Sequence, residues 1–265
     1  MAEDILVQKH GAVWLVTINR PAKMNSLDFA AHEEMVAVWR EFAQDDAARV
    51  GVLTGAGDKA FSAGADLKTY TMAFATLPPH EFRQKWVDGV GLGGITRGME
   101  IDKPLIAAVN GYAISGGLEL ALACDLRFGA DTASFALQDA KWGFHACDGG
   151  LIRLPRIVGQ GHAMEMILSG ERIDAAHAFR IGLINRLWPQ KELLAKTLEY
   201  ADMLALRAPL SHRFAKSVMR RAAGMPLTEA LRMEVRSFYD LGRSEDLEEG
   251  TRAFRERRDA KFEGR

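Results

Sequence analysis

Two glycine-bearing turns are the features of this 265-residue chain most suited to chemistry. Residues 60–68 read AFSAGADLK and residues 110–120 read NGYAISGGLEL, and each turn follows a short β-branched run that predicts a strand. Main-chain amides freed at such turns are hydrogen-bond donors, and a helix that starts there adds its positive dipole end. If the turns converge, the amides of Ala65 and Gly116 form an oxyanion hole, which stabilises negative charge developing on a carbonyl oxygen.

The elements that must position these turns follow from the hydrophobic pattern. Residues 5–10 and 12–19, joined at Gly11, predict a hairpin, and Ser26 is expected to cap a helix that runs to about Gln44. Further short strands are predicted at 50–54, 105–109, 126–129 and 134–136. From about Lys191 the hydrophobic residues recur only with the period of a helix. This pattern predicts four helices, at 191–207, 209–223, 226–240 and 244–258. The chain therefore predicts an α/β core over 1–190 and a C-terminal helical region over 191–265.

Composition excludes several classes of protein. Lys plus Arg (34) nearly balance Asp plus Glu (35), and no basic tract with interleaved aromatics occurs, so nucleic-acid binding is not expected. Cys124 and Cys147 form no disulfide framework, which favours a reducing compartment. The N-terminus lacks the pattern of a signal peptide, and no apolar run is long enough to span a membrane. We expect a cytoplasmic protein that binds no membrane.

The sequences of the two turns resemble those of the crotonase superfamily, which is the enoyl-CoA hydratase/isomerase family. Its members carry an A-F-x-A-G-A-D-[IL]-K turn and a later P-x-I-A-A-V-N-G-x-A-x-[GS]-G-G-x-E-L turn. The resemblance extends to four more segments, at residues 19–27, 124–127, 149–154 and 249–258, and so covers nearly the whole chain. It implies a spiral of ββα units followed by C-terminal helices. In this family those helices pack chains into trimers, and two trimers pair to form a hexamer. The reaction stays open, because the superfamily uses one oxyanion hole for several chemistries.

The resemblance also implies an acid–base pair. Glu119 comes three residues after Gly116 at a helix start, and in hydratases of this family that glutamate holds the attacking water. The second family carboxylate lies in F-G-x-P-E-x-x-x-G, where residues 135–143 of this chain read FALQDAKWG. Asp139 takes the glutamate position with a side chain one methylene shorter, and reach decides which carbon it protonates. Repulsion between two such carboxylates keeps one protonated, to act as the acid.

A second departure from the family pattern leaves alternatives open. Where the family commonly has P-G-x-G-G, residues 146–150 read ACDGG, and His145 precedes them. A His145/Asp148 pair would suit a C–C hydrolase, since some β-diketone hydrolases of the superfamily use a His/Asp pair. Asp148 also falls one position after the aspartate of the dienoyl-CoA isomerases. A loop that simply turns at 149–150 is the plainest interpretation, and no ligand spacing elsewhere supports a metal site.

The family implies coenzyme A thioesters as ligands, with no metal or redox cofactor. Lys23 is expected to contact a phosphate group of the ligand. The residues expected to line the binding site of the ligand are Ala63, Ala65, Asp66, Leu67, Lys68 and Gly116. Residues 70–100 form the least regular stretch, which predicts either the wall of an acyl pocket or a plain surface excursion.

The leading expectation is an enoyl-CoA hydratase-like lyase that adds water across a 2-enoyl thioester, or removes it in the reverse direction. Double-bond isomerisation and C–C hydrolysis are alternatives within the superfamily. A non-catalytic acyl-CoA binder is an alternative from another class, although such a binder would not need both Glu119 and Asp139.

Overall fold

A computed structural model of the protein describes residues 3–72 and 76–265. The strands are β1 (Ile5–His10), β2 (Val13–Ile18), β3 (Val50–Gly55), β4 (Ala60–Ser62), β5 (Leu105–Val109), β6 (Tyr112–Ile114), β7 (Leu126–Ala130), β8 (Ser134–Ala136), β9 (Ile173–Asp174) and β10 (Arg186–Trp188). The longer helices are α1 (Phe29–Gln44), α2 (Gly116–Ala123), α3 (Gly150–Val158), α4 (Gln160–Ser169), α5 (Ala175–Arg180), α6 (Leu193–Ala205), α7 (Pro209–Ala222), α8 (Leu227–Leu241) and α9 (Glu245–Glu256). Single helical turns lie between them.

The larger sheet has six strands in the order β1-β2-β3-β5-β7-β10. Only β1 and β2 pair antiparallel, as the predicted hairpin requires, and the other neighbours are parallel. Strands β3 and β5 are buried along their whole length, because α6 packs on the sheet and α1 reaches it at Gly51, where Trp39 and Phe42 lie. The α/β class and the hairpin are confirmed.

The smaller sheet positions the candidate site. It has four strands in the order β4-β6-β8-β9, with β4, β6 and β8 parallel. Since parallel strands all end at the same edge of a sheet, the residues that follow them come together there. These residues begin the segment after Ser62, the start of α2 after Ile114, and the turn that holds Asp139.

The predicted cap of α1 is wrong. Asp28, not Ser26, is the N-cap, and its carboxylate accepts a hydrogen bond from the Ala31 amide at 3.1 Å. Leu27 instead makes an extended bridge to Ala65, donating its amide to the Gly64 carbonyl at 2.8 Å. This pairing keeps the chain extended past Ser26, so the helix begins later than its local sequence suggests.

The C-terminal helices α6 to α9 agree with the four predicted ones to within a few residues at each end. Helix α6 packs against strands of the larger sheet, whereas α7 and α8 pack on each other. The division of the chain at residues 190 and 191 stays a prediction. Of the helices that the structure describes, none has the length and apolar character to cross a membrane.

Candidate active site

The two predicted turns touch each other. A Cβ added to Gly64 would lie 2.7 Å from the Gly116 nitrogen, and one added to Gly116 would lie 3.2 Å from the Ala65 nitrogen. Gly64 also has φ +88°, a conformation that favours glycine. Among the described residues, no acceptor takes a hydrogen bond from the Ala65 or Gly116 amide. The two donors are therefore adjacent and available to one ligand oxygen.

Both amides border a cavity of about 860 Å³ that also holds the predicted acids. Most of its polar residues come from residues 115–119 and 138–148, whereas the 67–97 stretch supplies Arg97 and many of the apolar residues. The lining residues are Ala63, Ala65, Leu67, Tyr70, Phe82, Trp86, Val87, Leu92, Arg97, Ile114, Ser115, Gly116, Glu119, Gln138, Asp139, Trp142, Phe144, His145, Cys147 and Asp148.

Glu119, on the first turn of α2, is 2% exposed and held by two main-chain amides. Its Oε1 accepts from the Asp148 nitrogen at 2.7 Å and the Gly150 nitrogen at 2.8 Å. The amides converge because Gly149 between them has φ +109°. Burial, and next the Asp148 charge, raise the pKa of Glu119 to about 7. Oε2 accepts no hydrogen bond from the described residues. One carboxylate oxygen is therefore fixed, and the other is able to contact a ligand.

Asp139 opens the helical turn after β8 and is 6% exposed. Its Oδ2 has no hydrogen-bond partner among the described residues. Burial raises the pKa of this carboxyl above its ordinary value. A buried carboxyl with a raised pKa retains its proton more readily, which suits a general acid.

His145 and Asp148 both line the cavity, but they do not form the pair considered from the sequence. His145 is exposed, and its Nδ1 lies 2.9 Å from the Ala146 carbonyl. The Asp148 carboxylate is buried and accepts from the Leu92 amide and the Thr96 hydroxyl instead. No hydrogen bond joins the two side chains in the part of the chain that the structure describes. No hydrogen-bonded His145/Asp148 pair among the described residues therefore supports the C–C hydrolase interpretation.

The predicted ligand-binding residues separate into two groups. Ala63, Ala65, Leu67 and Gly116 line the cavity, whereas Lys23, Asp66 and Lys68 lie outside its lining. Asp66 accepts from the Lys68 amide at 2.9 Å, and Lys23 is exposed with Nζ 3.6 Å from Asp28. The roles of all these residues in binding stay predictions.

The irregular stretch does form a wall of the cavity. Tyr70, Phe82, Trp86, Val87 and Leu92 line it, and residues 73–75 of the same stretch lie outside the described residues. The prediction of a pocket wall is therefore confirmed for the described part of this stretch.

Sequence reasoning missed the contribution of Thr96 and Arg97, which contact the turn before α3. The Thr96 hydroxyl donates to Asp148 Oδ1 at 2.7 Å, and Arg97 Nη1 donates to the Cys147 carbonyl at 2.8 Å. Both residues follow a run of glycines that has no hydrophobic period. Nothing local in the sequence signals contacts with a segment fifty residues away.

Comparisons with known proteins agree with this geometry. The sequence model of the family "Enoyl-CoA hydratase/isomerase" matches residues 8–265. Carnitinyl-CoA dehydratases of Escherichia coli (strain K12) and Citrobacter koseri are 40% and 39% identical over 269 residues, covering 100% of each chain. The crystal structure of an enoyl-CoA hydratase from Bacillus anthracis superposes with a TM-score of 0.89 at 34% identity, covering 99% of this chain and 100% of that one. An enoyl-CoA hydratase from Mycobacterium tuberculosis H37Rv gives 0.90 at 32% identity, with 100% of both chains covered. The chain therefore belongs to the enoyl-CoA hydratase/isomerase, or crotonase, family and has its fold.

Proposed function

We propose that this protein adds water across the double bond of a 2-enoyl-CoA thioester, or removes water from the corresponding 3-hydroxyacyl-CoA. One observation carries the proposal: two adjacent amides without protein acceptors and two buried carboxyls with raised pKa values border the same cavity. Amides of this kind stabilise an enolate oxygen, and paired carboxyls divide the work of base and acid.

In the hydration direction, the Glu119 carboxylate takes a proton from a water molecule whose oxygen bonds to C3 of the enoyl group. The electrons of the double bond move toward the thioester carbonyl, and the amides of Ala65 and Gly116 stabilise the negative charge on its oxygen. The Asp139 carboxyl then gives its proton to C2. Water is thereby added as a proton and a hydroxyl group, and solvent returns both carboxyls to their starting states. Dehydration uses the same groups in reverse order.

The relatives named carnitinyl-CoA dehydratase favour a second candidate, dehydration of a hydroxyacyl thioester that carries a quaternary ammonium group. The cavity wall supports this candidate with five aromatic side chains, and aromatic rings are the usual recognition element for such cations. They are Tyr70, Phe82, Trp86, Trp142 and Phe144. Turnover of carnitinyl-CoA should be compared with that of its uncharged tert-butyl isostere. A preference for the cation supports this substrate, and equal rates count against it.

A substrate panel distinguishes hydration from the other reactions of the superfamily. Purified protein is incubated with a 2-enoyl-CoA, a 3-enoyl-CoA, a 3-hydroxyacyl-CoA and a free β-diketone, and the products are identified by mass spectrometry. We expect interconversion of the 2-enoyl and 3-hydroxyacyl thioesters. Turnover of the 3-enoyl thioester alone would favour an isomerase. Cleavage of the diketone would favour a C–C hydrolase. Binding of thioesters without turnover would favour a non-catalytic acyl-CoA binder.

The family also supports self-association into a trimer or a hexamer. Helices α7 to α9 expose large apolar side chains to an unusual degree, including Met219 (77%), Leu227 (74%), Val235 (69%) and Phe254 (85%). Leu231, Val235 and Tyr239 of α8 line one surface groove, and an exposed apolar patch of this kind is typical of a protein interface. A second copy of this chain is the partner that the family implies.

A further inference from the structure

Asp148 lies against Glu119 and makes contacts that the proposed reaction does not use. Its carboxylate is buried, and Oδ1 accepts from the Leu92 amide at 2.9 Å and the Thr96 hydroxyl at 2.7 Å. Its own amide donates to Glu119 Oε1 at 2.7 Å. One residue thus holds Glu119 through its main chain and the 92–96 segment through its side chain.

Two arginines fix the turn that contains Asp148. Arg97 Nη1 donates to the Cys147 carbonyl at 2.8 Å, and its Nη2 lies 3.5 Å from Asp148 Oδ1. Arg153 on α3 donates to the Thr96 carbonyl at 2.8 Å and to the Asp148 carbonyl at 3.2 Å. Moving the Asp148 carboxylate away would leave the buried Leu92 amide and Thr96 hydroxyl without an acceptor, which is unfavourable. The carboxylate therefore stays beside Glu119.

We infer that Asp148 is a positioning residue for Glu119: its amide orients the Glu119 carboxylate, and its own buried carboxylate is held beside that group by Leu92, Thr96 and Arg97. The inference rests on the proposed function, in which Glu119 exchanges a proton with water or with the leaving hydroxyl group. A general acid–base group works best when its pKa lies near the operating pH. In one direction Glu119 must accept a proton, and in the other it must donate one.

The charges around Glu119 support this role. Burial is the largest cause of its raised pKa, the Asp148 charge is the next, and Asp139 contributes in the same direction. The amides of Gly150 and Asp148 act the opposite way, because they stabilise the ionised carboxylate. The other titratable or charged side chains that the structure describes around this cluster are His32, Tyr70, Arg97, His145, Cys147 and Arg153. Removing the Asp148 charge while keeping its amide should therefore lower the pKa of Glu119.

The Asp148→Asn variant makes this change, since asparagine retains an acceptor for Leu92 and Thr96 and the same main-chain amide. Two readouts apply: the pH profile of kcat/KM for crotonyl-CoA hydration, and titration of the Glu119 carboxyl by ¹³C NMR, assigned by its loss in Glu119→Gln. We expect both midpoints to move to lower pH by about one pH unit. Arg97→Gln should move them to higher pH, because it leaves the Asp148 charge less compensated. The matched control Glu33→Gln removes an exposed carboxylate on α1 and should move neither.

The outcomes separate this inference from the proposed function. An unchanged Glu119 titration in folded Asp148→Asn would overturn the inference, even if the wild type hydrates crotonyl-CoA. A wild type without hydratase turnover would count against the proposed function alone, because the NMR titration needs no substrate. If Asp148→Asn does not fold, Arg97→Gln decides: a midpoint at higher pH supports the inference, and an unchanged one overturns it.

Discussion

Gly116 has two roles that substitutions can separate: its amide is a candidate oxyanion donor, and its lack of a Cβ lets the two turns meet. Gly116→Pro removes the donor without removing a hydrogen bond within α2, since Gly116 lies in the first turn of that helix. We expect turnover to fall about 100- to 1,000-fold. The measurement is kcat on crotonyl-CoA, with folding checked by circular dichroism.

Gly116→Ala is the matched control for that loss. It adds a Cβ that would lie 2.7 Å from Leu92 Cδ2 and 3.1 Å from Gly64 Cα, but it keeps the amide hydrogen-bond donor. Its rate should therefore exceed that of the proline variant by at least about tenfold. Equal rates in the two variants would show that crowding, not the donor, limits turnover, and would remove Gly116 from the oxyanion hole.

Asp139 is the shortened acid of the pair, and its length can be tested directly. Asp139→Asn should lower hydration by about 100- to 10,000-fold, because the proton given to C2 is lost. Asp139→Glu should preserve or raise the rate, since it restores the family's usual reach and keeps the titrating group. Steady-state kinetics on a 2-enoyl-CoA distinguishes these cases. Wild-type activity in Asp139→Asn would rule out this carboxyl as the proton donor.

The family resemblance of the two turns implied an oxyanion hole, and the structure places Ala65 and Gly116 next to each other. The sequence did not predict the surroundings of Glu119. The residues that hold the 147–150 turn come from the 92–97 segment, and contacts between distant segments of irregular sequence have no local signature. For the same reason, the proximity of His145 and Asp148 along the chain suggested a pair that the structure does not form.

Among the elements, the start of α1 is fixed by Asp28, which caps the helix and pairs with the buried Arg20. Asp28→Ala removes both interactions, and we expect the free energy of unfolding to fall by about 1–2 kcal/mol. Asp28→Asn keeps an acceptor for the Ala31 amide and should lose less. Urea denaturation followed by circular dichroism measures both values. A loss no larger in the alanine variant than in the asparagine variant would contradict the role of the cap.

Long amphipathic elements were predictable from the sequence, whereas the short paired strands β4 and β6 were not. The hairpin and helices α6 to α9 follow from a sustained hydrophobic period within each segment. Strands β4 and β6 have only three residues each, lie within the glycine-bearing turns, and exist because they pair with each other across fifty residues. Their pairing places the two turns at one edge of the smaller sheet, which the local sequence could not reveal.

At the scale of the molecule, the apolar face of α8 predicts assembly. Val235 and Phe238 are each about two-thirds exposed, at 69% and 66%. Val235→Asp places a charge on that face and should shift the protein toward smaller species in light scattering coupled to size-exclusion chromatography. Val235→Leu is the matched control and should keep the wild-type mass. A wild type that is monomeric at micromolar concentration would contradict the prediction of a trimer or hexamer.

The central claim is that Glu119 and Asp139 add water to an enoyl thioester held by the Ala65 and Gly116 amides. Its most direct test is the reaction of crotonyl-CoA in water doubly labelled with ¹⁸O and deuterium, with wild type and Glu119→Gln compared. The account predicts ¹⁸O at C3 and one deuterium at C2 of 3-hydroxybutyryl-CoA. It also predicts a rate about 100- to 10,000-fold lower in the variant, whose side chain can still accept from the Asp148 and Gly150 amides. Deuterium incorporation at C4, cleavage of a C–C bond, or undiminished hydration by Glu119→Gln would contradict it.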